Sequence, residues 1–303
     1  MLWEFNGLEL AMVHPLLFAL ALALPEVAAG VPPTIPEVTV TAPKPPDPQQ
    51  IAGESVPNFI QKHAKPALLT GQLGRWLTQI CPRTEGLTPA FNAFVGARIE
   101  AIAASVGAPH EWAAQCRPNV GIYFTDAPQK MLDEVVKHAP QLLGFHYPHQ
   151  AKRLATVNRP IQAWYVTAIR GLSGPDVVDS IWGEVPAGRL GSRLTTGRSS
   201  LIVFVLVVAD TRKLLNFSIG SISDYIAVLT LSRPTSLDGC EALPSIIDLM
   251  SPICGATSDS TAITAGDIAF LRALYAVNME EPLSLQRNDM QNKMLREFEK
   301  QTH

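Results

Sequence analysis

Nine successive apolar residues, LIVFVLVVA at 201–209, constrain this chain more than any other stretch. They are rich in β-branched side chains and show no polar alternation, so the spacing predicts a strand buried on both faces, in the middle of a sheet. As a helix the run falls well short of the roughly 20 residues that cross a bilayer. Two further β-rich stretches, 119–125 (NVGIYFT) and 161–169 (IQAWYVTAI), are expected to be strands as well.

Helical spacing alternates with these strands. Thr88 is placed to cap a helix with Pro89 at its first position, and Leu87, Phe91, Phe94, Val95, Ile99, Ile102 and Val106 then recur on one face until Gly107 and Pro109 end it. No internal repeat is present, and the alternation of helices and strands predicts one main α/β (α+β) domain with a mixed sheet. Its expected extent is 55–280, followed by a polar helix in 281–303. A chain that is 47% hydrophobic and 17% charged has ample material for such a core. The net charge of −3, with Lys and Arg spread along the sequence, provides no basic stripe for phosphate neutralisation, so nucleic acid is excluded as a partner.

The first 54 residues are of a different kind. Residues 16–24 form an apolar run with the length of a signal-peptide core, and Val27, Ala28 and Ala29 supply small residues for a cleavage site, so 1–30 is expected to be a signal peptide or N-terminal anchor. Glu4 and Glu9, without any Lys or Arg before Met12, do not suit a positive leader, which makes Met12 the alternative start. Membrane contact is expected only through this segment. Residues 31–48 carry seven prolines and read as an extended linker, reaching to 54. Within it, EVTVTA at 37–42 is similar to the short segments by which envelope receptors dock a partner through strand addition; a plain spacer is the alternative.

The four cysteines point to the same compartment. Cys81 and Cys116 flank one helical segment, and Cys240 and Cys254 flank one loop, so two local bridges are the simplest of the possible pairings. No CxxC motif is present to favour zinc or redox chemistry. Each bridge is worth roughly 3 kcal/mol by loop-closure entropy. Together with the N-terminus they place the domain in the periplasm or outside the cell.

Any chemistry is expected after the long strand. Residues 218–231 (SIGSISDYIAVLTL) fit an apolar helix, 248–252 read DLMSP, and Thr264 can cap a helix in ITAGDIAFLRALYAV whose Ile268, Leu271, Leu274 and Tyr275 face a core. This order resembles the C-terminal half of the metzincin-type zinc peptidases. Leu249-Met250-Ser251-Pro252 matches their methionine turn, and Thr264, Asp267, Ile268, Leu271, Leu274 and Tyr275 match their final helix. In that alignment Ser223, Asp224 and Ala227 fall where the HExxH motif carries its ligands and base. No ligand histidine stands there. Zinc hydrolysis needs protein ligands, an open position for water and a carboxylate base, so the resemblance implies a metzincin-like scaffold and a pseudoenzyme, with neither metal nor cofactor. Met250 is expected to be a core residue. The chain also looks like a group of exported proteobacterial proteins, which implies an envelope location and no particular activity.

His138, His146 and His149 form the only histidine cluster, with Asp133 or Glu134 nearby as a further metal donor. Pro140 and Pro148 break any helix that would align them, so a surface role is the simpler expectation. The loop 171–198, with Arg189, Arg193 and Arg198, either borders a cleft or is a solvated hairpin. Neither a complete GxSxG elbow nor a Gly-rich phosphate loop is present. Three functional readings result. The first is a non-catalytic peptidase-like domain that binds a peptide or envelope protein; the second is an active metal-dependent hydrolase using the histidines; the third is a structural or assembly factor with the C-terminal helix as contact surface.

Overall fold

The computed structural model describes residues 55–110, 116–145, 148–171, 176–178, 195–238, 240, 243–251, 254 and 261–301. The expected signal peptide, the linker with its EVTVTA segment, Arg189, Arg193, Pro252 and His146 lie outside these residues.

A five-stranded mixed sheet forms the frame, with β1 (Pro82–Glu85), β2 (Val120–Thr125), β3 (Ile161–Arg170), β4 (Val177–Val178) and β5 (Ser199–Asp210) in the spatial order β1-β2-β5-β3-β4. The β1–β2 and β2–β5 pairs are parallel, whereas β3 runs antiparallel to β5 and to β4. The apolar run therefore lies at the centre, as its composition requires, extended by two serines at one end and Asp210 at the other. Strand β2 starts one residue later than the sequence implies, because the Asn119 side chain is used to tie the chain down. Its Oδ1 accepts from the Cys81 N–H at 2.8 Å and its amide donates to the Gln79 carbonyl at 2.8 Å.

Seven helices pack on this sheet among the described residues: α1 (Val56–His63), α2 (Pro89–Ser105), α3 (Pro128–His138), α4 (Pro148–Leu154), α5 (Ile219–Leu231), α6 (Ala265–Ala276) and α7 (Leu283–Gln301). Alternation along β5 sorts them. Val205, Val207 and Ala209 enter the large core with α1, α2, α5, α6 and α7, while Leu206 and Val208 join Trp164, Leu132 and Leu143 in a smaller cluster under α3. The period of two in a strand makes this division unavoidable once both faces are apolar.

Local signals set the helix ends. Thr88 accepts from the Phe91 N–H, and Thr264 and Asp267 form a reciprocal capping box at the start of α6. Helix α2 buries Val95, Ile99, Ile102 and Ala103, but Phe91, on the expected face, is 48% exposed. Helix α7 is polar in composition yet sends Met290, Met294 and Phe298 into the large core, so its apolar stripe is occupied within the domain. The cysteines pair as Cys81–Cys116 and Cys240–Cys254, with Cα atoms 6.0 and 5.3 Å apart. No helix among the described residues is long and apolar enough to cross a membrane.

Candidate functional site

Helix α5 carries the three positions aligned with a zinc motif, and all are buried. Ser223 and Ala227 are fully inaccessible, and the Ser223 hydroxyl donates back to the Ile219 carbonyl at 2.6 Å. Asp224 is 2% exposed, and its carboxylate receives Arg98 Nε at 2.5 Å, Arg98 Nη2 at 3.2 Å and the Ile263 N–H at 2.9 Å. It thereby links α2, α5 and the segment entering α6. A two-pronged guanidinium and a backbone amide thus occupy three acceptor positions of this carboxylate. Met250 is half-buried against the large core at the end of a 3₁₀ turn, Ile246–Met250.

The far end of α5 is held as firmly. A helix leaves its final carbonyls without intrahelical donors; Val228 still takes the Ser232 N–H at 3.1 Å, and the three carbonyls after it are supplied by side chains. Ser232 donates to Val228, Tyr165 Oη to Leu229 at 2.9 Å, Trp76 Nε1 to Thr230 at 2.7 Å and Tyr275 Oη to Leu231 at 2.9 Å. Burial, the largest cause, pushes both tyrosine phenols far up, which preserves the protons they donate. The chain leaving α5 is thus fixed in direction at Arg233.

A second buried node joins α1 to α6. His63 stacks on Phe59, with ring centres 3.9 Å apart, and its Nδ1 donates to the Phe59 carbonyl at 2.9 Å. Ser245 Oγ stands 3.1 Å from His63 Nε2 and 2.6 Å from Asp267 Oδ1, while Asp267 Oδ2 accepts from the Ile246 and Thr264 amides at 2.9 and 3.0 Å. Burial lowers the His63 pKa to about 3, and burial raises Asp267 to about 6 against the pull of its hydrogen bonds. Ser245 Oγ donates to Asp267 Oδ1, and the carboxylate takes up a proton only below about pH 6. Serine sits between base and acid here, and all three are closed to solvent, so the trio holds structure and not a nucleophile. Nearby, Lys62 and Asp248 form an ion pair at 3.1 Å with both side chains under a tenth exposed.

Of the three histidines of the expected cluster, His146 lies outside the described residues. His138 is exposed and lies 3.3 Å from Glu134 on its own helix, and His149 is exposed on α4. No three His, Cys, Asp or Glu side chains among the described residues are grouped to hold a metal ion.

Sequence reasoning missed a different place. A cavity of about 240 Å³ lies against β3, where Lys65, Arg153 and Arg233 meet an apolar wall of Leu143, Leu154 and Trp164. Its geometry is fixed by backbone bonds. The Lys65 N–H donates to the Arg233 carbonyl at 2.6 Å, and Trp164 Nε1 donates to the Leu154 carbonyl at 2.7 Å, holding the end of α4 against the strand. Gly144 also lines the cavity, with a φ of 58°, and a Cβ there would run into the Tyr165 carbonyl. Lys65 is held below the usual lysine range, first by burial and then by the positive fields of Arg233 and Arg153.

Comparison with models of known protein families gives no match, and neither curated proteins nor solved structures yield one.

Proposed function

We propose that this chain works outside the cytoplasm as a non-catalytic binding domain on a peptidase-like scaffold, taking a peptide or another component of the cell envelope. The observation that carries the reading is Asp224. It occupies the position of the general base in the metzincin resemblance, and its carboxylate is spent on Arg98 and the Ile263 amide. The two disulfides support an oxidising compartment, since such bridges persist mainly in exported proteins.

The test combines metal analysis with a turnover screen on purified protein. Zinc loading followed by removal of excess metal is expected to leave less than one equivalent bound, chelation to leave the unfolding midpoint unchanged, and a mixed peptide library to remain uncleaved. One zinc per chain, or cleavage that chelators abolish, overturns the proposal in favour of a metal-dependent hydrolase.

A further inference from the structure

We infer that the Cys240–Cys254 bridge is a redox-sensitive latch on helix α1, opened by an external dithiol. The inference goes beyond the binding reading above and does not depend on it.

The two bridges of this chain are placed differently. Cys81 stands immediately before β1 with 4% exposure, and its carbonyl accepts from the Asn119 and Val120 amides where β2 begins. The Cys81–Cys116 bridge thus joins two segments that the sheet already holds together. Cys240 is exposed while its partner Cys254 is buried, and what lies between them is the 3₁₀ turn Ile246–Met250. Exposed disulfides are the ones that a thiolate reaches and reduces most readily.

What that turn holds gives the bridge its consequence. Asp248 pairs with Lys62 at 3.1 Å, and Ser245 Oγ stands 3.1 Å from His63 Nε2. Both buried polar side chains at the end of α1 therefore meet side-chain partners inside the loop that the bridge closes. Helix α1 has eight residues, too few to persist without tertiary contacts. Val56, Phe59 and Ile60 enter the large core, but burial of Lys62 and His63 is favourable only while Asp248 and Ser245 stay in place. On its other side the turn is tied to α6, by the Ser245 hydroxyl and the Ile246 amide on Asp267 and by the Thr264 hydroxyl on the Pro244 carbonyl. The bridge limits the freedom that the turn gains on letting go of α1. Reduction restores that freedom and favours the open form.

The reaction is a two-electron exchange. One thiolate of the dithiol attacks Cys240 Sγ, the S–S bond breaks and Cys254 leaves as a thiolate. The second thiol of the reductant then displaces Cys240, so the bridge gains two electrons and two protons while the dithiol becomes a disulfide.

Graded reduction of the full chain with dithiothreitol tests the latch, with alkylation of freed thiols to identify the open bridge and hydrogen exchange read by mass spectrometry. Cys240–Cys254 is expected to open about tenfold or more faster than Cys81–Cys116, and the α1 amides then to exchange about tenfold or more faster, through an opening that leaves β5 protected. Cys240→Ser combined with Cys254→Ser is expected to reproduce that exchange pattern without reductant, and graded reduction alone decides the matter if this double variant does not fold. Opening of Cys81–Cys116 first overturns the latch, and so does α1 exchange that is unchanged on reduction or that occurs only when β5 opens too.

Discussion

Helix α5 and the cavity at its exit are neighbours in the chain and opposites in electrostatics. Along α5, each charged or polar group described above meets its complement: Asp224 meets Arg98 and an amide, and the last four carbonyls meet Ser232, Tyr165, Trp76 and Tyr275. One residue beyond the cap, Arg233 is brought alongside Lys65 and Arg153, charges of its own sign. Complete polar pairing is what a core requires, because a buried group without its partner costs about 1–3 kcal/mol. Like charges gathered by a rigid frame lower stability, as the depressed Lys65 shows.

The largest effect is expected where pairing is most complete. Asp224→Ala leaves Arg98 and the Ile263 amide without their acceptor and removes the link between α2, α5 and α6. A loss of about 3 kcal/mol is expected, at the low end for a broken buried pair because Arg98 keeps 22% exposure. Urea unfolding measures it. A loss below about 0.5 kcal/mol would erase the contrast between the two regions.

The His63–Ser245–Asp267 node sharpens the comparison by its pH dependence. Unfolded, between pH 4 and 6, the histidine carries a proton and the aspartate does not, given ordinary values of 6.5 and 3.8. Folded, the same window has Asp267 protonated and His63 neutral, since they titrate near 6 and near 3. Both states hold one proton, so this node contributes a level stability from pH 4 to 6. Asp267→Asn leaves only the depressed histidine, for which the unfolded state binds more protons, and stability is expected to rise by about 2–3 kcal/mol from pH 4 to 6. His63→Phe leaves only the raised aspartate, and stability is expected to fall by a similar amount over that interval. Urea midpoints at the two pH values decide it; parallel behaviour of the two variants would refute the shared proton.

How much of this was legible beforehand follows from which interactions are local. The run 201–209, the Thr88 and Thr264 caps and the spacing of the cysteines act within a few residues or through simple burial, and each is found as read. Asp224 could be located but not understood, because its partner Arg98 lies 126 positions away and nothing in the local pattern of α2 marks that arginine. The cavity was less accessible still. Lys65, Arg153 and Arg233 look like ordinary solvated cations in the sequence, and only the β3 frame brings them together. Phe91 fails in the opposite sense: the helical period puts it on the face of Val95 and Ile99, yet it is 48% exposed, because a period gives a direction and not the extent of what packs there.

The smallest expected effect is also the most discriminating. Lys65→Gln removes one of three like charges at an exposed rim position and retains a side chain of similar length. If the cavity contributed to the fold as α5 does, the change would destabilise. Because Lys65 is held below its usual range by burial and by Arg233 and Arg153, removing its charge relieves repulsion, and the unfolding midpoint is expected to stay level or rise, within about 0.5 kcal/mol.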